Sequence, residues 1–403
     1  MFTIQVLDNI SPQGLSLFHP DLYQLGLNPV DPDVILVRSH KLHDHPFEKN
    51  LKAVARAGTG TDNIPVEALT NLGIPVFYAP GANANAVKEL VMAAMIMGYR
   101  HLDETRSFIT ELSKEDNQLL NREIETKKKK FVGHEISGKT LGVIGLGNIG
   151  VKVANAGLAL GMNVLGFDTN MTLTNALALM PGVEKIMDMN ELLVHADIIT
   201  LHIPLNTNTT HLINEENISL VKPHTLLLNF SREQIVNEAA ILQQLNNQRL
   251  MGYITDFPTI NLAGHPNVLC FPHLGASTQE AEQTAAEMVI RNICNYLEYG
   301  IIEYSINFPN ISLSTSQVSN CYRLLAINEN IPGAMGKITQ NISKLGYNIE
   351  QMENKSRGAI AVNLIDISGS KESLSKLCDQ LKHIPNLINI RLVSSHQNST
   401  ISQ

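Results

Sequence analysis

Apolar residues occur along the chain in short continuous runs, and helix-like stretches separate these runs. In the first third the runs are TIQVLD (3–8), DVILV (33–37), LKAVARA (51–57) and IPVFYA (74–79). Runs of this length predict buried strands of a parallel sheet, because helices cover both faces of such a sheet. The stretch 85–102 is apolar on nearly every side. It predicts a buried helix, packed in a core or against a second subunit.

The strand–helix rhythm stops over about 103–135 and returns at Lys139. The charged segment between predicts a connector or an exposed helical excursion. Six later runs predict a second parallel sheet, namely TLGVIG, NVLGFD, DIITLHIP, TLLLNF, LMGYITDF and NVLCFP. A core-facing helix is expected over about 279–299 and a polar linker over 307–317. The last piece, about 318–396, has the pattern strand, helix, strand, strand, helix, strand.

Composition narrows the possible functions. The 403 residues are 44% hydrophobic and 17% charged, which is typical of a folded protein with more than one core. The formal charge is −8 and the one basic run, 127–130, is short, so nucleic-acid binding is not expected. No apolar run is long enough to cross a membrane. Four scattered cysteines and no recognisable secretory signal favour the cytoplasm, with no metal site.

A glycine-rich turn follows the strand TLGVIG. Gly145, Gly147 and Gly150 have the G-x-G-x-x-G spacing, and a helix-competent run, 148–160, follows them. The first glycine permits a tight turn, the second lets a pyrophosphate approach the helix N-terminus, and the third allows close helix–strand packing. Asp168 ends the next strand, where a carboxylate accepts ribose hydroxyls and repels a 2′-phosphate. The motif predicts a dinucleotide site that prefers NAD to NADP.

Another candidate for chemistry is His273, which lies just past the strand NVLCFP. A histidine at a strand end is placed where many active sites lie, and it exchanges protons near neutral pH. An imidazole that moves protons usually needs an acceptor to hold it. The only acid between residues 256 and 277 is Asp256.

Five motifs in this order resemble those of the D-2-hydroxyacid dehydrogenases: RAGTGTDNI (56–64), GLGNIG (145–150), LHIPLNTNT (201–209), NFSRE (229–233) and PHLGAST (272–278). Within that family the chain is most similar to the branch that oxidises 3-phospho-D-glycerate with NAD, at the first step of L-serine biosynthesis. That branch carries a C-terminal ACT-type regulatory domain, which the segment 324–355 resembles.

The resemblance implies an α/β fold of two Rossmann-like lobes, each a parallel sheet with helices on both faces, plus a small βαββαβ ACT-type domain. The implied boundaries are 1–98 for the first part of the substrate-binding lobe, 99–285 for the NAD-binding domain, 286–310 for the return segment of the substrate lobe and 318–403 for the ACT-type domain. A homodimer or homotetramer is implied as well.

The family also implies three catalytic roles. His273 matches its acid–base histidine, Arg232 its substrate arginine, and Asp256 the strand-end aspartate that faces the nicotinamide amide. The family glutamate that holds the histidine is missing, because the matching Glu-Pro positions are occupied by Ile260-Asn261. Three interpretations stay open. In the first, Asp256 contacts both the cofactor and the imidazole. In the second, the ring is oriented by a neutral group such as Asn261, or by water and backbone. In the third, a carboxylate from elsewhere in the chain, such as Glu280 or Glu89, reaches the ring.

The ligand-binding residues implied by the resemblance form three sets. For NAD they are Gly145, Gly147, Asn148, Ile149, Gly150, Asp168, Phe230, Ser231, Arg232, Asp256, His273, Gly275 and Ala276. For the substrate they are Arg38, Lys41, Arg56, Gly58, Thr59, Gly60, Asn83 and Asn85, with the cations assigned to the phosphate. For an amino-acid effector such as L-serine they are Asn328, Asn330 and Asn348. The family often has histidine where Asn328 stands, which leaves the effector open.

Three other functions are compatible with the sequence. One is a dehydrogenase or reductase for another acid, such as hydroxypyruvate, glyoxylate or 2-oxoglutarate, although the phosphate-binding cations and the C-terminal domain argue against it. Another is a non-catalytic NAD-sensing protein, and a third is an amino-acid sensor with an inert enzyme half. The C-terminal domain could also be purely structural. NADH formation from 3-phosphoglycerate, with and without serine, separates most of these hypotheses.

Overall fold

The computed structural model describes residues 1–112, 117–314, 316, 318 and 320–393. Parts of the predicted linker 307–317 and residues 394–403 of the predicted C-terminal domain therefore lie outside the described residues. The chain divides into two compact units. The first comprises Met1–Ala82 with Glu282–Gln403, and the second comprises Asn83–Ala281.

The first unit opens with a five-stranded parallel sheet. Its strands are β1 (Phe2–Val6), β2 (Tyr23–Gly26), β3 (Val34–Val37), β4 (Ala53–Arg56) and β5 (Val76–Phe77), with helices α1 (Pro12–Leu15) and α2 (Val66–Asn71). The strand order is β2-β1-β3-β4-β5. All four residues of β3 are buried, as the apolar run predicts for a central strand covered on both faces. The edge strand β2 is half exposed and was not predicted.

The second unit begins with helices. They are α3 (Ala84–Tyr99), α4 (Leu102–Leu112), α5 (Asn117–Lys127) and a 3-10 turn, Lys128–Phe131. The predicted helix 85–102 is two helices, because His101 adopts a left-handed conformation (φ +50°) between them. The buried side of α3 packs into the core of this unit, which begins at Asn83. The exposed helical excursion expected over 103–135 corresponds to α4 and α5, and α4 has no buried residue.

A seven-stranded parallel sheet forms the centre of the second unit. Its strands are β6 (Thr140–Ile144), β7 (Asn163–Phe167), β8 (Val183–Ile186), β9 (Ile198–Leu201), β10 (Thr225–Asn229), β11 (Leu250–Thr255) and β12 (Val268–Cys270). Its helices are α6 (Asn148–Ala159), α7 (Leu173–Ala178), α8 (Met189–His195), α9 (Glu238–Asn246) and α10 (Ile260–Ala263), with 3-10 turns at Ile218–Leu220 and Glu233–Ile235. The order is β12-β11-β10-β9-β6-β7-β8, so the chain reverses direction across the sheet between β6 and β9. The predicted α/β class and all six predicted strands are confirmed.

Helix α11 (Gln279–Tyr299) leads into the C-terminal domain, as the sequence predicts. The elements of that domain are β13 (Cys321–Glu329), α12 (Ala334–Lys344), β14 (Asn348–Arg357), β15 (Ile360–Ser368), α13 (Leu374–Lys382) and β16 (Leu387–Val393), with a 3-10 turn at Lys371–Ser373. The sheet is antiparallel in the order β14-β15-β13-β16. The predicted βαββαβ order is therefore observed.

Both faces of the sheet are buried within the first unit at the two central strands, β13 and β15. Alternate side chains of a strand point to opposite faces. Leu324 and Ile365 pack with the helices α12 and α13. Leu325 and Leu364 face the other way and join the core of the first unit. The C-terminal domain is thus packed on the rest of this unit and is not a separate appendage.

A buried ion pair ties the sheet to the segment that precedes it. Arg323 pairs with Asp366 through two hydrogen bonds of 2.7 and 2.8 Å. The same guanidinium donates to the carbonyls of Leu313 (3.0 Å) and Ser314 (2.7 Å). Two more arginines also donate to main-chain carbonyls before the domain, Arg357 to Ser305 and Phe308, and Arg391 to Tyr296 and Leu297.

Three negative findings concern the described residues alone. No helix there is long and apolar enough to span a bilayer. No group of three or more potential ligand residues there could hold a metal ion. The four cysteines are free thiols.

We expect Arg323→Leu to lower the free energy of unfolding by about 3–5 kcal/mol, because it leaves the Asp366 carboxylate, 2% exposed, without its counter-ion. The double variant Arg323→Leu/Asp366→Leu removes the stranded charge and should lose clearly less. Urea unfolding of both variants measures this. A double variant that is as unstable as the single one would contradict the burial argument.

Candidate active site

The glycine loop lies where the large sheet changes direction. It connects β6 to α6, and β9 ends beside it, so it occupies the crevice where open parallel sheets bind ligands. Gly145 has φ +94°, and a Cβ there would be 2.4 Å from the carbonyl oxygen of His202. A Cβ at Gly150 would be 1.8 Å from the carbonyl oxygen of Gly145. Only glycine fits at either position.

Gly147 is different, because a Cβ there would meet nothing within 4 Å. It is the N-cap residue of α6, whose first turn holds Asn148 and Ile149. Main-chain N–H groups in a first turn have no intrahelical partner, and the helix dipole favours an anion there. The Asp168 carboxylate accepts the N–H of Leu146 (2.7 Å), so it braces the loop from the end of β7. The open space and the N–H groups fit the pyrophosphate of a dinucleotide.

His202 has a supporting role that the sequence did not reveal. It follows β9, and its carbonyl oxygen packs against Gly145. Burial lowers the pKa of His202 to about 3, so the imidazole is neutral, with Nε2 2.9 Å from Thr200 Oγ1. The motif LHIPLNTNT was the only available signal, and it does not indicate that a main-chain carbonyl is the functional group.

The two glycines make a paired prediction. Gly147→Ala should fold with nearly unchanged stability but bind NADH at least about tenfold more weakly, because its methyl group enters the space expected for the pyrophosphate. Gly150→Ala should lose about 2–3 kcal/mol of stability, because its methyl group overlaps a carbonyl. Urea unfolding and NADH fluorescence titration separate the two effects. Equal NADH affinity for Gly147→Ala and the wild type would exclude this position as the phosphate site.

Asp256 lies directly after β11 and is 1% exposed. Its Oδ2 accepts the N–H of Gly275 (3.0 Å), and its main-chain carbonyl accepts the N–H of His273 (3.0 Å). His273 has φ +49°, a conformation that costs energy for a residue with a side chain. The aspartate therefore holds the histidine loop at two points. One of these two hydrogen bonds is made by the main-chain N–H of His273, the residue with the strained conformation.

The other oxygen of this carboxylate, Oδ1, is buried and has no hydrogen-bond partner among the residues that the structure describes. Burial raises the pKa of Asp256, while the N–H of Gly275 and the nearby His273 and Arg232 act in the opposite direction. A buried acceptor without a donor is rare in a folded protein. It fits a ligand that brings an N–H group, such as the carboxamide of nicotinamide.

Arg232 follows the neighbouring strand β10. Its carbonyl accepts the side-chain N–H of Asn229 (2.9 Å), and its guanidinium donates to the carbonyl of Ser231 (2.8 Å). Phe230 is 6% exposed and its ring stacks on that of Phe271 at 6.3 Å. Arg232 and His273 both lie near enough to Asp256 to influence its pKa. The structure thus brings the three predicted catalytic residues together in the second unit.

The His273 side chain is exposed, and the ring of Phe257 meets it edge-on with 5.0 Å between centroids. Among the described residues, no hydrogen bond to the imidazole is formed. Ile260, at the family's glutamate position, is 90% exposed. Asn261 donates instead to Glu238 (2.8 Å). Of the distant carboxylates, Glu89 accepts the side-chain N–H of Asn85 (2.8 Å), and Glu280 is exposed.

Arg38 follows β3 in the first unit, where the five-stranded sheet changes direction between β1 and β3. The main-chain N–H groups of Arg38, Ser39 and His40 all donate to the Asp8 carboxylate, at 2.6, 3.0 and 3.0 Å. The guanidinium of Arg38 pairs with Glu282 (2.8 Å). Lys41 follows shortly after Arg38 in the chain and is exposed to solvent.

Arg56 shapes the predicted substrate loop. It donates to the carbonyls of Arg38 (2.8 Å) and Gly60. A Cβ at Gly58 would lie 3.1 Å from its guanidinium, so this glycine allows the arginine to pack on the loop. Thr59 donates to the carbonyl of Ala79 (3.3 Å). The remaining predicted substrate residues, Asn83 and Asn85, lie at the start of α3 in the second unit.

The predicted effector residues are not all together within one chain. Asn328 and Asn330 lie at and just beyond the end of β13, where Asn328 pairs with Ala361 of β15. Asn348 begins β14 and pairs with Ser368, seven residues further along β15. At ~3.3 Å per residue the two ends of the sheet are roughly 23 Å apart. Asn328 is 4% exposed and accepts a hydrogen bond from Asn363 (2.7 Å).

We expect Asp256→Asn to keep the loop bond, because an amide oxygen can still accept the N–H of Gly275. A negative charge beside an imidazole favours its protonated form, and the neutral ring is the form that accepts a proton. Removing the charge should lower kcat at least about tenfold, because the imidazolium that forms loses its neighbouring negative charge.

The measurement is kcat for substrate oxidation by the wild type and by the variant. Asp188→Asn is the matched control, because asparagine preserves that N-cap bond at the start of α8. Unchanged turnover in Asp256→Asn would exclude Asp256 as the partner of His273.

Comparison with known proteins gives four results. The family model for the D-isomer specific 2-hydroxyacid dehydrogenase NAD-binding domain matches residues 92–275. D-3-phosphoglycerate dehydrogenase from Methanocaldococcus jannaschii is 33% identical over 92% of this chain and 68% of its own length. The protein of that name from Escherichia coli K12 is 30% identical over 88% and 85%. The structure of NAD+-bound 3-phosphoglycerate dehydrogenase from Entamoeba histolytica has a TM-score of 0.60 at 23% identity, covering 77% of this chain and 99% of that one.

Proposed function

Because the chain belongs to the D-isomer specific 2-hydroxyacid dehydrogenases, we propose that it oxidises 3-phospho-D-glycerate to 3-phosphohydroxypyruvate with NAD, the first step of L-serine biosynthesis. The observation that carries the proposal is the convergence of His273, Arg232 and Asp256 in the unit that contains the glycine loop. A proton acceptor, a carboxylate ligand and a buried acceptor are what oxidation of a 2-hydroxy acid requires of the protein.

The residues present fit NAD. The glycine loop and the first turn of α6 would hold the pyrophosphate, Asp168 the adenosine ribose, and Oδ1 of Asp256 the nicotinamide amide. The carboxylate of Asp168 would repel a 2′-phosphate, which favours NAD over NADP. When bound, the cofactor supplies the acceptor for the hydride that leaves C2 of the substrate.

His273 takes the proton of the C2 hydroxyl as the alcohol becomes a ketone. Its exposed ring is accessible to a substrate, and its main chain is fixed by Asp256. Arg232 binds the substrate carboxylate and polarises the new carbonyl group, since a guanidinium binds a carboxylate through two hydrogen bonds and stays charged. Asp256 stabilises the imidazolium that forms. It thereby takes the role of the family glutamate, which is absent here.

We assign recognition of the substrate phosphate to Arg38 and Lys41 of the first unit. Arg38 lies at the carboxyl end of a central strand, and Lys41 is in the same loop. Arg56 acts through its hydrogen bonds to Arg38 and Gly60, so it shapes the loop that presents the substrate-binding groups. These cations favour a phosphorylated substrate over glyoxylate or hydroxypyruvate.

Regulation by an amino acid such as L-serine is the second part of the proposal. Asn328 and Asn330 are at one end of the C-terminal sheet and Asn348 is at the other. A site that uses all three needs two copies of the chain, which supports a homodimer or a homotetramer. We also propose a cytoplasmic location, in keeping with the four free thiols.

The test is NADH formation from 3-phospho-D-glycerate by the full-length protein. His273→Ala should lower kcat by about 10²–10⁴-fold, because proton transfer to the imidazole is lost. His195→Ala, at the exposed end of α8, is the matched control.

Three outcomes would revise the function. Turnover of 2-oxoglutarate or glyoxylate but not of 3-phosphoglycerate would make the chain a different dehydrogenase. NADH binding without turnover of any 2-hydroxy acid would make it an NAD-sensing protein. Full activity of His273→Ala would exclude the proposed base.

A further inference from the structure

The ion pair between Arg38 and Glu282 lies at the proposed phosphate site. The two side chains are 2.8 Å apart and are 31% and 39% exposed, so a solute can reach them. Glu282 lies in the first turn of α11, where the N-terminal end of the helix dipole stabilises a carboxylate. A group that binds Arg38 therefore meets an anion that is already there.

The main chain around Arg38 is fixed while its side chain has room to exchange partners. The Asp8 carboxylate holds the N–H groups of Arg38, Ser39 and His40, and Arg56 holds the carbonyl of Arg38. The guanidinium is held by Glu282 through a partly exposed contact. A ligand can thus change the partner of the guanidinium without disturbing the loop.

The position in the sheet is an independent reason to expect a ligand here. β1 and β3 are neighbours, and the chain runs outward from them to β2 on one side and to β4 and β5 on the other. Open parallel sheets bind ligands at the carboxyl ends of the strands where the order reverses. Asp8 and Arg38 follow the two strands at this point.

We infer that Glu282 is the resident counter-ion of Arg38, that the substrate phosphate displaces it, and that it thereby helps to set the choice of substrate. The inference rests on the proposed function, because it takes Arg38 as the phosphate ligand. A phosphate monoester carries a charge of about −1.5 to −2 at neutral pH and presents three acceptor oxygens, against one charge and two oxygens for a carboxylate. The phosphate therefore binds the Arg38 guanidinium more strongly than the Glu282 carboxylate does and displaces it.

A substrate without an anionic tail behaves differently. D-glycerate has a neutral hydroxyl group where 3-phospho-D-glycerate has its phosphate, so it has nothing to displace Glu282 and leaves the pair closed. Glu282 consequently opposes the binding of phosphorylated substrate by the strength of the ion pair and does not affect D-glycerate. A partly exposed pair is worth at most about 1 kcal/mol, or about a fivefold change in Kd.

The experiment is calorimetric titration of the full-length protein with 3-phospho-D-glycerate and with D-glycerate. For Glu282→Gln we expect the Kd of 3-phospho-D-glycerate to fall about three- to fivefold and that of D-glycerate to stay unchanged. Glu287→Gln is the matched control, because it removes the same charge from the same helix, where Glu287 contacts only Gln283 among the described hydrogen bonds. In an Arg38→Met background, Glu282→Gln should have no effect.

The inference is overturned if Glu282→Gln leaves the Kd of 3-phospho-D-glycerate unchanged or raises it, or if Glu287→Gln gives the same gain. Glu282→Ala, which has the highest helix propensity, repeats the test if urea unfolding shows that the glutamine variant is unstable. Failure of the proposed function has a different signature. A wild type that binds 3-phospho-D-glycerate without forming NADH refutes that function and leaves the exchange of Arg38 partners intact.

Discussion

The proposed catalytic geometry depends on the buried carboxylate of Asp256. Removing a carboxylate from water is unfavourable unless hydrogen bonds and opposite charges compensate for it. Here the N–H of Gly275 binds one oxygen, and Arg232 and His273 lie nearby. The same residue accepts the main-chain N–H of His273. One strand end thus fixes the histidine loop and leaves a buried oxygen for a ligand.

The rest of the second unit supports this arrangement. The reversal of strand order between β6 and β9 opens the crevice, and the glycine loop lies at its edge, with no room for a Cβ at Gly145 or Gly150. The neutral His202 closes the loop from β9. The first unit repeats the principle at β1 and β3, where Arg38 meets Glu282. Each unit therefore has residues of the proposed site at the carboxyl ends of its central strands.

The central strands of both parallel sheets and the glycine loop could be predicted from the sequence. Buried parallel strands are continuous apolar runs, and the glycine spacing has a steric cause. The strands β2 and β8 were missed because they lie at sheet edges and are partly polar. The pairing of Arg38 with Glu282 joins residues far apart in the chain, which no local pattern encodes. The sequence also could not reveal that Asn348 lies at the far end of the sheet from Asn328.

The central claim is that Asp256 takes over the role of the missing glutamate. The most direct measurement is kcat for oxidation of 3-phospho-D-glycerate by the wild type and by Asp256→Asn at saturating NAD. We expect kcat to fall at least about tenfold in the variant, because the imidazolium that forms loses its neighbouring negative charge. An unchanged kcat, in a variant that is still folded, would contradict this role of Asp256 and would assign the ring to a neutral partner.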